Sequence, residues 1–125
     1  MDYTQINKEH IDYFSKKIGS DNILIGSKCN QYASDHTENL IFIPDIVLFP
    51  SSTNDISIIL KYCNKYNIAI TPSASLTGLS GGALPIFGGV SLSMKKMNKL
   101  ISVDEKNFQA VVEPGLINED FQKKI

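Results

Sequence analysis

The stretch Thr71-Pro-Ser-Ala-Ser-Leu-Thr-Gly-Leu-Ser-Gly-Gly-Ala-Leu-Pro-Ile-Phe-Gly-Gly89 lies between two apolar runs of the chain. It contains five of the eight glycines and two of the five prolines. Glycine tolerates positive φ and leaves bare N–H groups that another molecule can approach closely. A small-residue loop between strands therefore predicts a phosphate or cofactor cradle, and the alternative is a long turn that binds no ligand.

The glycine spacing excludes the two common nucleotide-binding loops. A P-loop requires Lys followed by Ser or Thr after its last glycine, whereas Ala83 follows Gly82 here. A Rossmann turn requires G-x-G-x-x-G at the start of a helix, and Pro85 with the glycine pair at 88–89 argues against a following helix. The loop belongs to neither fold, although a module for another phosphate ligand stays open.

The elements before the loop predict a β-α-β unit. Residues 46–49 are all apolar, which is typical of a strand buried on both faces. Apolar residues at i, i+3, i+4 and i+7 predict a helix over residues 54–66, with Thr53 as its N-cap. Residues 68–71 predict a second strand, so the loop leaves the carboxyl end of a parallel strand, where open α/β sheets bind ligands.

Shorter patterns complete a mixed α+β (mixed α/β) layout. The further predicted elements are an amphipathic helix over residues 4–18, a strand over 90–94 with one polar face, a hairpin of strands 100–103 and 108–112, and a short helix with Asn118 as N-cap. Residues 23–25 are either a strand or an extended lead into a weak helix at 28–33, because periodicity does not distinguish the two.

Composition and charge restrict the partners. The chain has 125 residues, a net charge of −1 and no Arg among its 12 basic residues. This balance gives no electrostatic case for nucleic acid or an anionic membrane surface. The N-terminus shows neither a signal peptide nor a membrane span, so the cytoplasm is the expected compartment. Cys29 and Cys63 lack metal spacing and are predicted to be buried, reduced thiols.

Few residues suggest catalysis or metal binding. A metal site at Asp35, His36 and Glu38 would need a second element to complete its coordination, so solvated loop polarity is the favoured interpretation. The loop hydroxyls show no pairing with a base and no G-x-S-x-G pattern. We therefore predict no catalytic and no metal-binding residue on this chain.

Five segments resemble those of one known family in their residues and in their order along the chain. They are YASDHTE at 32–38, PDIVLFP at 44–50, GLSGGALP at 78–85, GGVSLS at 88–93 and VVEPG at 111–115. Together they resemble the PCMH-type FAD-binding domain of the vanillyl-alcohol oxidase and p-cresol methylhydroxylase superfamily, in its glycolate oxidase and D-lactate dehydrogenase branch. The resemblance runs from about residue 21 to the end of the chain.

The resemblance implies a cofactor site and a reaction. FAD would bind with its pyrophosphate on backbone amides of the loop, and without a covalent bond, because no His occurs from 72 to 89. The intact family oxidises a small 2-hydroxy acid of the glycolate or D-lactate type and passes electrons to a membrane-associated or iron–sulfur partner. The implied cofactor-binding residues are Ser73, Ala74, Ser75, Leu76, Thr77, Gly78, Leu79, Gly81, Gly82, Ala83, Glu113 and Gly115. For Glu113 a solvated strand end is an equally good interpretation.

One departure from the family pattern lies inside the motif. The family shows Arg-Gly-x-Gly where this chain has Ser73-Ala74-Ser75-Leu76, so a basic residue is lost and two glycines are replaced. If either replaced position needs a left-handed backbone, its side chain costs about 1–2 kcal/mol. The departure puts tight FAD binding in question without affecting the predicted fold.

The resemblance also predicts the domain organisation. Residues 1–20 form an N-terminal helix, and residues 21–125 form the first subdomain of the FAD-binding domain and the start of the second. The remainder of that domain and a substrate-binding cap domain are expected to be missing, so the chain is interpreted as an N-terminal fragment. The rival hypothesis is a truncated, non-catalytic remnant or interaction module that keeps the fold and binds no flavin.

Overall fold

Four short strands form the central sheet of the structure, a computed structural model that describes residues 2–37 and 39–125. They are β1 Ile23–Ile25, β2 Ile46–Leu48, β3 Ile70–Ser73 and β4 Val90–Ser93. The spatial order is β1-β2-β4-β3, with β1 antiparallel to β2, and with β2 and β3 both parallel to β4. β4 thus lies between the two strands of the predicted β-α-β unit, and the predicted mixed α+β class is confirmed.

Two helices cover one face of this sheet. They are α1 Lys8–Ile18 and α2 Thr53–Lys65. Phe14 of α1 and Ile59 of α2 are fully buried against the strand residues Ile46 and Val90. A second, smaller core lies on the other face and contains Cys29, Val47 and Phe49. Both cysteines are free and buried, as the sequence predicted.

The caps of the helices differ from the predicted ones. α1 begins at Lys8, not at Thr4, because Asn7 and His10 cap its first turn through two reciprocal hydrogen bonds of 3.1 and 3.0 Å. α2 begins at Thr53 because Ser52, not Thr53, is the N-cap: its Oγ accepts from the backbone N–H of Asp55 at 3.1 Å. A capping side chain reaches the amide two or three residues ahead, which Ser52 does and Thr53 does not.

Two strands also depart from the predictions. β3 covers residues 70–73, two residues beyond the predicted 68–71, and therefore includes Pro72. Proline lacks a donor but is tolerated because β3 lies at the edge of the sheet. In β4, Ser91 and Ser93 are fully buried, so the predicted polar face is not exposed to solvent. β4 is a central strand with packed residues on both sides, which the local alternation does not indicate.

The C-terminal third forms a separate hairpin. Its strands are β5 Leu100–Asp104 and β6 Gln109–Val112, antiparallel as predicted, and the Asp104 carboxylate accepts from the backbone N–H groups of Lys106 and Asn107 in the turn. The last helix, α3 Asn118–Lys124, begins at Asn118, and the predicted side-chain cap from that residue is not found. The weak helix predicted at 28–33 is a 3-10 helix over Gly26–Tyr32. β1 settles residues 23–25 as a strand.

None of the helices in the described ranges has the length and apolar character needed to cross a membrane.

Candidate functional site

The glycine loop begins at the carboxyl end of β3 and returns to the sheet at the start of β4. Ser73, the last residue of β3, is buried beneath it, while residues 74–80 are exposed apart from half-buried Leu76. Residues 74–83 of the loop are small or carry hydroxyl groups, apart from Leu76 and Leu79. This is the edge of the sheet at which the sequence predicted a ligand.

The loop has several polar groups without a partner in the protein. Within residues 2–37 and 39–125, no acceptor is found for the backbone N–H groups of residues 75–80. The hydroxyls of Ser75 and Thr77 lie 3.5 Å apart on the same exposed turn. Below them, Ser73 Oγ is buried and finds no hydrogen-bond partner among the described residues. A set of unpaired donors around one short turn is suited to an anion with several oxygen atoms.

Four residues of the loop have a left-handed backbone, and two of them, Leu76 and Gly81, lie in its exposed part; the others are Gly88 and Gly89. Gly81 has φ of 72°, and Leu76 has φ of 57°. Ala74 is not among the residues with positive φ. Of the two predicted departures, therefore, only Leu76 carries a side chain where the backbone favours glycine.

The glycines at 78 and 82 have no packing role among the described residues. A Cβ atom at Gly78 would meet nothing within 4 Å, and one at Gly82 would lie 3.6 Å from Ser80 Oγ, an ordinary contact. Neither position has a φ in the left-handed region. Both therefore leave bare backbone on the exposed side of the loop, which a ligand can approach closely.

A second segment, described at residues 33–37 and 39–45, contacts the glycine loop at three points. The backbone N–H of His36 donates to the carbonyl of Gly78 at 3.1 Å. Further along, Leu40 Cδ1 lies 3.4 Å from the position of a Cβ on Gly81. At the far end, the carboxylate of Asp45 accepts from the N–H of Gly89 at 2.8 Å. These three contacts link residues 36, 40 and 45 to residues 78, 81 and 89 of the loop, in the same order along both segments.

Asp35 closes a short turn that contains His36, the residue whose backbone contacts the glycine loop. Its Oδ1 accepts from the backbone N–H of Thr37 at 2.7 Å. The nearby Thr37 hydroxyl, followed by the backbone N–H of Thr37, lowers the pKa of the half-buried Asp35 carboxyl. Sequence reasoning considered this residue only for metal binding. The signal that could have identified it is the Asp-x-Thr pattern, which is typical of a turn closed by an Asp side chain.

Among the described residues, the structure places no further metal ligand beside Asp35 and His36. Glu38 lies outside the described residues, and His36 contributes its backbone to the loop. No group of three His, Cys, Asp or Glu residues in the described ranges is arranged to bind a metal ion.

The other two predicted site residues belong to a different contact. The N–H of Glu113 donates to the Lys99 carbonyl at 2.8 Å, and its Oε1 accepts from the Lys99 N–H at 3.1 Å. Gly115 donates to the carbonyl of Met97 at 2.7 Å, and a Cβ at Gly115 would collide with the carbonyl of Met94. The hydrogen bonds of Glu113 and Gly115 thus join the hairpin to residues 94–99. The structure brings residues 73–83 together but gives no hydrogen bond between them and this pair.

Gly115 also lines a basic groove at one end of the sheet. The groove has a volume of about 780 Å³, and its charged and polar walls come from Asp21, Lys95, Lys96, Asn98, Asp120, Lys123 and Lys124. Several of these side chains are already engaged: Lys96 Nζ contacts Asn22 and the carbonyl of Asp21, and Lys123 pairs with Glu119 at 3.0 Å. The ion pair of Lys123 with Glu119 and the carboxylates of Asp21 and Asp120 offset part of the lysine charge at this groove.

A family model and two curated sequences match most of this chain. The sequence model of a family described as FAD binding domain matches residues 44–125. D-lactate dehydrogenase of Anaerostipes hadrus is 35% identical over 121 residues, which are 94% of this chain and 25% of that protein. Glycolate oxidase subunit GlcD of Bacillus subtilis is 38% identical over 94 residues, which are 75% of this chain and 20% of that protein. The chain thus spans a fifth to a quarter of the length of these curated relatives.

Solved structures share the fold at lower sequence identity. An alkyldihydroxyacetonephosphate synthase superposes with a TM-score of 0.84 at 18% identity, over 99% of this chain and 25% of that one. A p-cresol methylhydroxylase superposes with a TM-score of 0.80 at 24% identity, over 98% of this chain and 26% of that one. At these identities the likeness establishes the fold alone.

Proposed function

The chain belongs to the family of FAD binding domains, of the PCMH type that its sequence segments resemble, and we propose that its glycine loop binds the pyrophosphate of FAD in a flavoprotein that oxidises a small 2-hydroxy acid. FAD is the cofactor of this family. The observation that carries the proposal is the row of backbone N–H groups at 75–80, which have no acceptor in the described structure.

The chemistry of the loop fits the pyrophosphate. Its free amides and the hydroxyls of Ser75 and Thr77 would donate to phosphate oxygens, and bare backbone at Gly82 would let the flavin approach. The buried hydroxyl of Ser73, at the end of β3, is a further donor without a partner among the described residues. Because the chain contains no Arg, the pyrophosphate charge would be held by dipoles and not by a bidentate cation. Ala74, Leu79, Gly78, Gly81 and Ala83 complete the proposed site.

The proposed reaction follows from the relatives. Two of them are named D-lactate dehydrogenase and glycolate oxidase, and both names denote oxidation of a 2-hydroxy acid. When bound, the flavin would accept a hydride equivalent from the substrate's α-carbon and pass electrons to an acceptor, a membrane-associated or iron–sulfur partner in our proposal. This chain would bind and orient the cofactor non-covalently. We assign no catalytic residue to it.

The proposed domain comprises residues 21–125, preceded by the N-terminal helix region 1–20. Contacts in the structure support a close association of α1, in the N-terminal region, with the rest of the domain. Phe14 of α1 is fully buried in the main core, and the rings of Tyr13 and Tyr62 stack at 3.8 Å between α1 and α2. We therefore propose that α1 is an integral outer layer of the domain.

A second candidate function is a non-catalytic module that keeps the fold and binds no flavin. Leu76 favours it, because a left-handed leucine strains the turn that would receive the pyrophosphate. Glu113 and Gly115 also favour it, since each has a structural role that needs no cofactor. In this alternative the loop is only a connection between β3 and β4.

Isothermal titration calorimetry of the chain with FAD distinguishes the FAD-binding flavoprotein from the non-catalytic module. We expect the parent chain to bind FAD and Gly82→Val to bind it at least about ten-fold more weakly, because the added side chain covers the bare backbone. Ala110→Val on the exposed hairpin is the matched control and should bind like the parent. Equal binding by Gly82→Val would place the cofactor elsewhere, and no binding by the parent would support the non-catalytic module.

A further inference from the structure

We propose that the backbone N–H of His36 is a positioning group that turns the amide of Leu79 outwards, so that the glycine loop offers the FAD pyrophosphate a donor and not a carbonyl. The proposal rests on the function proposed above and adds to it a residue outside the loop. His36 would act through the peptide unit that joins Gly78 to Leu79, and not by contact with the cofactor.

One hydrogen bond between distant parts of the chain carries the proposal. The N–H of His36 donates to the carbonyl of Gly78 at 3.1 Å. Among the described residues, no other carbonyl from 75 to 80 accepts a backbone hydrogen bond, and none of the N–H groups in that range donates one. The exposed part of the loop is therefore joined to the backbone of another segment at this carbonyl.

The geometry of a peptide unit connects this bond to the opposite side of the loop. The Gly78–Leu79 peptide bond is trans, so the carbonyl of Gly78 and the N–H of Leu79 point in opposite directions. Because the carbonyl points towards His36, the N–H of Leu79 points away from it. Leu79 is 76% exposed, so a ligand can reach this N–H group.

The direction of the peptide unit decides whether this part of the loop attracts or repels an anion. N–H groups directed at a phosphate stabilise it, whereas a carbonyl oxygen in the same place carries the wrong partial charge. Packing does not select the direction, because a Cβ at Gly78 would meet nothing within 4 Å and glycine rotates freely about its backbone bonds. The hydrogen bond from His36 therefore selects it.

The segment that carries His36 is itself held in place. The Asp35 carboxylate accepts from the N–H of Thr37 at 2.7 Å, which closes a turn around His36. The N–H of Phe42 donates to the carbonyl of Ala33, a buried residue, at 2.8 Å. Since a closed and anchored segment opens less readily than an exposed loop, this segment positions Gly78 and not the reverse.

Variants at position 36 separate the effect of the N–H from that of the side chain. His36→Pro removes the N–H, and His36→Ala keeps it but removes the imidazole. Because proline also restricts the residue before it, a semisynthetic chain with an ester in place of the Asp35–His36 amide removes the same N–H without the ring. The matched control is an ester at Asp120–Phe121, which removes the N–H that donates to the Ile117 carbonyl at 2.9 Å in α3.

The first measurement needs no flavin. Amide exchange reports the bond of residue 36, and NMR residual dipolar couplings report the direction of the Leu79 N–H. In the parent and in His36→Ala, we expect the amide of residue 36 to exchange at least about ten-fold more slowly than in an unstructured chain. In His36→Pro and in the ester at position 36, the Leu79 coupling should fall below about half of the parent value, and the control ester should keep that value.

Two results of this measurement would overturn the proposal. One is an unprotected amide of residue 36 in the parent, because the hydrogen bond would then be absent in solution. The other is an unchanged Leu79 coupling in the ester at position 36. If the proline chain loses the protection of its central strand β4, it has misfolded, and the ester chain alone decides.

The second measurement is the FAD dissociation constant of the same five chains. We expect the two chains without the N–H of residue 36 to bind about ten-fold more weakly, with His36→Ala and the control ester within about three-fold of the parent. Equally weak binding by His36→Ala would assign the effect to the imidazole and overturn the proposal. So would parent-like binding by the chains without this N–H. If even the parent binds no FAD, the proposed function fails and the cofactor role of His36 fails with it, while the couplings still show whether the bond orients the loop.

Discussion

The carboxylate of Asp45 accepts a 2.8 Å hydrogen bond from the backbone N–H of Gly89, a residue 44 positions further along the chain. The carbonyl of Gly89 in turn accepts from the N–H groups of Asp45 and Ile46 at 2.9 and 3.2 Å. Both backbone groups of Gly89 are therefore bonded at the point where the loop returns to the sheet. The contact also sets the register of the parallel strands, in which Ile46 pairs with Val90.

Removing the Asp45 carboxylate should destabilise the fold. Gly89 is buried, so Asp45→Ala leaves its N–H without an acceptor. An unsatisfied buried donor costs about 1–3 kcal/mol, and we expect the free energy of unfolding to fall by that amount. Asp45→Asn keeps an acceptor oxygen and should lose about half as much or less. Urea denaturation measures both, and a loss below about 0.5 kcal/mol for Asp45→Ala would mean that the contact is not maintained in solution.

The buried thiol of Cys63 predicts a pH dependence of stability. Burial raises the pKa of Cys63 to about 12, and it also raises the pKa of Cys29. An unfolded thiol has a pKa of about 8.5. Because the folded pKa is the higher one, the stabilising contribution is complete below pH of about 8.5 and is lost as the pH rises towards 12. We expect Cys63→Ala to show a shallower loss of stability above pH of about 8.5 than the parent.

The same burial predicts slow alkylation. At pH of about 8, iodoacetamide should modify both cysteines in urea but neither at a comparable rate in the folded chain, because only the thiolate reacts. Mass spectrometry of the modified chain, with Cys63→Ala to report Cys29 alone, checks this. Rapid modification of the folded parent would show that the main core opens readily.

The hairpin of β5 and β6 should be the least stable part of the fold. Residues 101–112 are all exposed, including Ile101 at 62% and Phe108 at 95%. An isolated two-stranded hairpin is marginally stable in water. We expect the β5 and β6 amides to exchange at least about 100-fold faster than those of the central strand β4 in native-state hydrogen exchange. Equal protection in both sheets would indicate that the hairpin unfolds together with the main core.

Local patterns predicted the elements that show a regular apolar period or a recognisable turn. The helix α2 was found from its apolar spacing, and the hairpin was found from two strands and a turn closed by Asp104. The glycine loop was found because its composition departs from that of any regular element. In these cases the information lies within about ten neighbouring residues, so the sequence is sufficient.

Features that depend on distant residues were missed. The burial of Ser91 and Ser93 follows from the central position of β4, which its own alternation does not encode. The shift of β3 onto Pro72 follows from its position at the sheet edge. The contacts of His36 with Gly78 and of Asp45 with Gly89 join residues more than 40 positions apart, so no local pattern reveals them.

The altered positions 74 and 76 give the sharpest test of the loop. Leu76 has a φ of 57°, whereas Ala74 is not among the residues with positive φ. Leu76 is also half-buried, so Leu76→Gly would lose apolar contacts as well as strain. The useful comparison is therefore Leu76→Gly against Leu76→Ala, since both lose the contacts and only glycine removes the strain.

We expect opposite effects of glycine at the two positions. Leu76→Gly should be more stable than Leu76→Ala by about 1 kcal/mol, because a left-handed residue with a Cβ costs about 1–2 kcal/mol. Ala74→Gly should be less stable than the parent by about 0.4–1 kcal/mol, because glycine only makes the unfolded chain more flexible there. In the FAD titration, Leu76→Gly should bind more tightly than the parent, since its side chain stands among the free amides, and Ala74→Gly should not. If Leu76→Gly is no more stable than Leu76→Ala, the left-handed backbone is absent in solution; if its FAD affinity also equals the parent's, the pyrophosphate does not lie on this turn.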